Sequence, residues 1–155
     1  MSWSISEEVI NWINLNIPKK SVIVEFGSGE GTRYLVEDYQ VYSVEDNINW
    51  VDYVPKSHYI YAPLNNQDRW YDTSILNEKL PSKYDLIIID GPASIERYSF
   101  INHLDILNTN IPIIVDDVDR ENDFKMLCEL SSMLGRPYII FDCGNMTKKF
   151  GVINI

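Results

Sequence analysis

The sequence predicts an α/β fold, a doubly wound sheet of seven strands that is mostly parallel and ends in an antiparallel C-terminal hairpin strand. Three observations predict it. Apolar, β-rich runs alternate with helix-patterned stretches up to Leu134, the pattern of parallel strands joined by right-handed crossovers. The runs "VIVEF", "LIII" and "IPIIV" are almost uniformly apolar, as strands are when both of their faces are buried. The last two runs, "PYIIFD" (137–142) and "FGVINI" (150–155), are joined by "CGNMTKK" with no helical stretch between them. They are expected to pair as a hairpin.

The elements follow in order. A first helix is expected over Ser4 to Leu15, with Ile5, Val9, Trp12 and Ile13 at helical spacing, acids near its start and Pro18 to end it. Then come "SVIVEF" (21–26), a helix from Thr32, "VYSVE" (41–45), a short helix over Ile48 to Val51 and "HYIYA" (58–62). The series continues with a helix over Trp70 to Leu76, "YDLIIID" (84–90), a helix over Ile95 to Leu107, "IPIIVDD" (111–117) and a helix over Asn122 to Leu134. No repeat, low-complexity tract or linker-like shift interrupts this, so residues 1–155 are expected to form one domain.

Composition narrows the function. With 23 acidic against 13 basic residues the formal net charge is -10, which opposes phosphate backbones, so no nucleic-acid partner is expected. No apolar run approaches the roughly 18 residues of a membrane span, and the N-terminal stretch lacks the layout of a secretory signal. No membrane partner and a cytoplasmic location are the expectations. Cys128 and Cys143 lack metal-type spacing and are expected to be reduced packing residues. His103 is expected to pack or face solvent, and Trp50 and Trp70 to pack or rim a cleft.

The turn after the first strand, "EFGSGEGT", is the first chemical signal. In open α/β sheets ligands lie at the carboxyl ends of the strands, near the point where the winding reverses. Gly27 and Gly29 stand there; glycine permits positive φ and lets a ligand approach the backbone. Glu25 points an acid toward the cleft, and Glu45 ends the second strand where an acid accepting from ribose hydroxyls is expected. A dinucleotide would use the same ledge, but the third glycine of GxGxxG falls at Thr32. A plain tight turn and a solvated strand-end acid are the simpler alternatives.

The second signal is a set of aspartates. Asp90 stops the fourth strand before Gly91-Pro92, and Asp116 and Asp117 end the fifth. Neighbouring residues of an extended strand point to opposite faces, so both acids address one point only where the chain turns. Three nearby carboxylates repel one another unless a cation or a shared proton relieves them, and oxygen-only ligands suit Mg²⁺ or Mn²⁺. Turn and helix caps are the competing roles for these aspartates.

Taken together, "EFGSGEGT" and "VYSVEDN" resemble the first motif and the acid that follows it in class I S-adenosylmethionine-dependent methyltransferases, a Rossmann-like family. The resemblance implies that Glu25, Gly27, Ser28 and Gly29 surround the methionine part of S-adenosylmethionine, that Glu45 holds the ribose with Asp46 assisting, and that Asp90 borders the cofactor. Tyr61 and Asn65 are candidates for an adenine pocket. The aspartates resemble those of metal-dependent O-methyltransferases of the catechol type. The lysine base of that type falls at Ala93 here, so a catechol-type base is absent. "YDLIIIDGPASIERY" and "IIVDDVDR" are similar to the sugar-methylating branch typified by the glucuronoxylan O-methyltransferases. That similarity implies that Arg97 and Arg120 serve catalysis by pairing a substrate carboxylate.

The resulting expectation is metal-assisted O-methylation of a small-molecule or saccharide acceptor, with a divalent cation held by Asp90, Asp116 and Asp117, and with Asp90, Asp117, Arg97 and Arg120 in catalytic roles. With little chain for a lid, the acceptor site is expected to be open or completed by a second copy in a homo-oligomer. Two other classes use the same residues. A non-catalytic domain binding S-adenosylmethionine needs Glu25, Gly27 and Glu45 without the aspartates, and a nucleotide or dinucleotide enzyme uses the ledge alone.

Overall fold

A computed structural model describes residues 5–144 and 147–155. Its seven-stranded sheet has the order β3-β2-β1-β4-β5-β7-β6. The strands are β1 (Val22–Phe26), β2 (Gln40–Glu45), β3 (His58–Tyr61), β4 (Leu86–Ile89), β5 (Ile113–Val115), β6 (Tyr138–Asp142) and β7 (Lys149–Ile153). Pairings among the first five are parallel; β7 runs antiparallel to both β5 and β6. The expected doubly wound sheet with an antiparallel hairpin strand is the one observed, and its winding reverses between β1 and β4.

The uniformly apolar strands have two cores to serve. Ile23, Leu86, Ile88 and Ile114 face one side, packing with Val9 and Ile13 of α1 (Glu7–Asn16) and with Leu35 of α2 (Thr32–Leu35). Val24, Phe26, Ile87, Ile89, Ile113 and Val115 face the other, packing with Leu76 of α3 (Thr73–Lys79) and Met126, Leu127 and Leu130 of α4 (Glu121–Leu134). Each fully buried aliphatic side chain contributes roughly 1.5–3 kcal/mol. Gly151 of β7 leaves the space that Leu127 fills, since a Cβ there would lie 2.4 Å from a Leu127 methyl.

Local chemistry sets the helix limits. Ser6 caps α1 by accepting from the Val9 N–H, with Glu7 and Glu8 in the first turn; the expected start at Ser4 lies outside the described residues. At its other end α4 closes on Gly135 at φ +65, whose N–H bonds back into the last turn.

Two expectations are corrected. The helix expected over Trp70 to Leu76 begins at Thr73, because the Asp72 side chain accepts from the Ser74 and Ile75 N–H groups, while Trp70 and Tyr71 are buried as irregular chain. The segment expected as a helix over Ile95 to Leu107 is 3₁₀-helical over Ser94–Ile106 with a kink at His103. Three residues per turn place Arg97 and Phe100 inward on one line. The expected hairpin strand β6 lies at the sheet edge with Ile139 and Ile140 exposed.

The ends of β1 and β4 touch through glycine. Gly27 has φ +91, and a Cβ on it would lie 2.7 Å from the Asp90 carbonyl oxygen; a Cβ on Gly91 would lie 2.9 Å from Gly27 Cα. Gly27→Ala is expected to lower unfolding stability by about 2–4 kcal/mol, from a strained backbone added to a backbone clash. Gly135→Ala, equally at positive φ but with nothing within 4 Å of its Cβ, is expected to cost only about 1 kcal/mol. Urea denaturation of the two variants measures the difference.

Candidate active site

The glycine turn is organised from below by two acids. Glu25 is buried and accepts from Thr32 Oγ1 at 2.7 Å and Ser43 Oγ at 2.5 Å, and Thr32 Oγ1 in turn accepts from the Gly29 N–H. Glu45 accepts from the Ser28 N–H at 3.0 Å, from Ser28 Oγ and from the Asn47 N–H. Burial pushes Glu45 above the usual carboxylate range, and it pushes Glu25 up to about 7 against the pull of its two hydroxyl donors. Glu25, Gly27, Ser28, Gly29 and Glu45 are therefore one connected unit. Asp46 follows, half-buried and raised by burial. Beneath the turn, the buried Tyr71 hydroxyl lies 2.5 Å from where a Gly91 Cβ would be and has no hydrogen-bond partner among the described residues.

The expected adenine residues are placed differently from one another. Tyr61 is partly exposed, whereas the Asn65 side chain closes its own turn, accepting from the Gln67, Asp68 and Arg69 N–H groups. Trp70 is fully buried with His103 stacked on it at 4.4 Å, and His103 also contacts Asp68 at 2.6 Å, so both pack. Trp50 meets Tyr53 edge-on.

The three aspartates converge. Oxygens of Asp90, Asp116 and Asp117 lie within 4.8 Å of one another. The parallel β4–β5 pairing puts the first two side by side, as the Asp116 N–H bond to the Ile89 carbonyl shows. Asp117 turns back because its backbone is left-handed, φ +58, a conformation aspartate tolerates. Asp116 is fully buried, and neither of its oxygens accepts a well-aligned hydrogen bond among the described residues. An oxygen-only set this close fits a divalent cation in donor chemistry.

Cations of the chain itself also meet these acids. Arg97, only 4% exposed, reaches Asp117 at 3.1 Å, Asp123 at 3.3 Å and the Asp90 carbonyl at 2.9 Å, and its Nε donates to the Pro92 carbonyl. Arg120 reaches Asp117 and Asp123 from the rim. Lys148, just before β7, lies 3.1 Å from Asp116 and 3.3 Å from Asp117. Burial, then the Asp116 charge, pushes Asp90 well above its ordinary range. Burial also opposes the charge on Asp117, but Lys148 and then Arg97 outweigh it and hold that carboxyl low.

Arg97 and Arg120 thus stand among the chain's own aspartates, where the sequence pointed them at a substrate. Lys148 and Asp123 went unrecognised in the sequence. Asp123 carried a signal, three residues beyond Arg120 on one helix; Lys148 carried none, because its approach depends on the hairpin returning beside β5. On the side of the 3₁₀ segment away from Arg97, a cavity of about 500 Å³ opens among Arg69, Glu96, Tyr98, Ser99, Asn122 and Lys125.

The sequence matches no protein-family model and no curated relative. Solved structures share the fold. The C-terminal domain of a precorrin-6Y C5,15-methyltransferase from Rhodobacter capsulatus aligns at 13% identity and TM-score 0.63 over 99% of this chain and 98% of that one. A caffeoyl-CoA O-methyltransferase described from Staphylococcus aureus aligns at 17% identity and TM-score 0.63 over 96% and 82%. The O-methyltransferase TomG from Streptomyces achromogenes, solved with its cofactor, aligns at 11% identity and TM-score 0.63 over 99% and 82%. At these identities the likeness is one of architecture. No helix among the described residues is long and apolar enough to cross a membrane.

Arg97→Ala is expected to lower stability by about 3–5 kcal/mol, because it removes the one buried guanidinium shared by Asp117, Asp123 and the Asp90 and Pro92 carbonyls. Arg120→Ala, whose side chain is 47% exposed, is expected to cost less than about 1 kcal/mol. Thermal unfolding of the pair separates the two roles. For Glu25, the folded state holds a proton that the unfolded state releases near pH 4.5. The stability this proton confers, about 3 kcal/mol, is present at low pH and is lost as pH rises toward about 7. Denaturation between pH 4.5 and 7.5 is expected to show that decline in the wild type and not in Glu25→Gln.

Proposed function

We propose that the protein transfers a methyl group from S-adenosylmethionine to an oxygen of a small or saccharide acceptor, with a divalent cation assisting. The observation that carries the reading is the convergence of Asp90, Asp116 and Asp117 one strand away from an acid-braced glycine turn, on an architecture shared with methyltransferases. S-adenosylmethionine, when bound, supplies an electrophilic methyl carbon on a sulfonium. A divalent cation held by Asp90, Asp116 and Asp117 supplies Lewis acidity toward a hydroxyl.

The chain's own residues do the rest. Glu45, held by Ser28 and Asn47, presents lone pairs to the ribose hydroxyls. Glu25 acts through Thr32, holding the Gly29 peptide and hence the shape of the ledge. Gly27 fixes the distance between the ledge and Asp90, which aligns donor and acceptor for an in-line displacement. Asp90, whose burial raises its proton affinity, receives the acceptor's proton at a carboxylate oxygen.

A second reading, a binding domain without turnover, is favoured by one feature: Arg97, Arg120 and Lys148 already compensate the aspartates. Titration with S-adenosylhomocysteine and turnover with a panel of hydroxyl acceptors decide between them. Glu45→Ala is expected to weaken S-adenosylhomocysteine binding by about tenfold or more, the worth of a buried charged acceptor. Asp117→Asn and chelator are each expected to abolish turnover while leaving that binding within about twofold. Turnover that survives both removes the metal from the reading, and NAD binding in place of S-adenosylhomocysteine removes the donor.

A further inference from the structure

The geometry points to Lys148 as the resident cation of the carboxylate cluster, an ammonium that competes with a divalent ion for Asp116 and Asp117. This rests on the metal reading above and adds a residue to it. The Lys148 nitrogen lies 3.1 Å from Asp116 and 3.3 Å from Asp117, while the ligand oxygens of Asp90, Asp116 and Asp117 are all within 4.8 Å of one another. A group bridging two acids of so small a triad stands where an ion must come. The Lys148 side chain is itself only 14% exposed, and Asp116 is fully buried with no other cation on its oxygens among the described residues. An ammonium has three donors and a flexible stem, so it can satisfy two carboxylates in the absence of metal and swing away on its presence.

The other cations do not compete in the same way. Arg97 is anchored by the Asp90 and Pro92 carbonyls and Asp123 in addition to Asp117, so it stays in place as the cluster changes its ion. Arg120 approaches Asp117 at its other oxygen, Oδ2, leaving Oδ1 to Lys148. Removing Lys148 therefore frees Asp116 and one oxygen of Asp117 without disturbing the arginine frame. The consequence is an exchange. Loading a divalent ion expels Lys148 toward solvent, and the affinity observed for the ion is its intrinsic affinity reduced by the strength of the lysine's hold.

The test compares metal-stripped wild type with Lys148→Met and Lys148→Arg by calorimetric titration with Mn²⁺, with Asp117→Asn as the control for the site. Lys148→Met is expected to bind Mn²⁺ about tenfold or more tightly than wild type, and Lys148→Arg to bind no more tightly than wild type. Equal or weaker Mn²⁺ binding by Lys148→Met overturns the inference and leaves the metal reading standing. No Mn²⁺ binding by any of the proteins overturns both. Because Lys148→Met carries uncompensated acids, a measurement on the wild type accompanies it: acetic anhydride labelling read by mass spectrometry, with and without Mg²⁺. Lys148 is expected to become at least about fivefold more reactive with Mg²⁺ as its ammonium leaves the acids. Unchanged labelling at a Mg²⁺ concentration that calorimetry shows to saturate the protein overturns the inference.

Discussion

The constraint on which the rest of the structure depends is the burial of carboxylates at the carboxyl ends of β4 and β5. A charged carboxylate in a dry site is costly unless it is paired or protonated, and the fold supplies both remedies. Burial and the nearby Asp116 push the Asp90 carboxyl well above its ordinary range, while Lys148 and Arg97 hold the Asp117 carboxyl low against its own burial. Elements that are remote in sequence are recruited to do this. The segment after β4 delivers Arg97, the first turn of α4 delivers Arg120 and Asp123, and the start of β7 delivers Lys148. Each enters because the parallel sheet brings all of these ends to one rim.

The same rim explains why the glycine turn and the acids belong together. Gly27 and Gly91 approach so closely that neither tolerates a Cβ, which locks the ledge after β1 against the backbone carrying Asp90. On the far side of the ledge, Glu25, Thr32 and Ser43 form a buried chain of hydrogen bonds, extended by the Ser43–Ser57 contact of 2.6 Å. Displacing β1 relative to β4 would thus disturb both halves at once. That coupling is what an in-line transfer between two bound groups requires, since small errors in alignment carry large rate penalties.

Much of this was legible from residues alone, and the reasons are physical. Uniform apolar runs mark strands covered twice, so β1, β4 and β5 and their terminal acids could be read directly. Trp70 and Tyr71 have helical neighbours in sequence, yet tertiary burial claims them and Asp72 caps the helix afterwards. Arg97 was legible as a candidate, but its partners within the chain were not. Its partners, Asp117 and Asp123, lie 20 and 26 residues away and meet it only when 3₁₀ spacing turns it inward. Lys148 was illegible for a stronger reason: its site is defined by an antiparallel return, and no local pattern encodes where such a return ends.

Charge balance at the rim carries the last step. Four carboxylates, Asp90, Asp116, Asp117 and Asp123, face three cations, Arg97, Arg120 and Lys148. With a proton on Asp90 the group is neutral without any ion. Adding a divalent charge to that neutral group requires that positive charge leave, and only two of the positive charges are free to go. The arginines are permanently charged and tied to several partners, whereas the Asp90 proton and the Lys148 ammonium both sit on acids the ion would take. Release of both restores neutrality. On the proposed reading, binding of a divalent ion would therefore couple release of the Asp90 proton to outward movement of Lys148, and would leave Asp90 able to take the acceptor's proton.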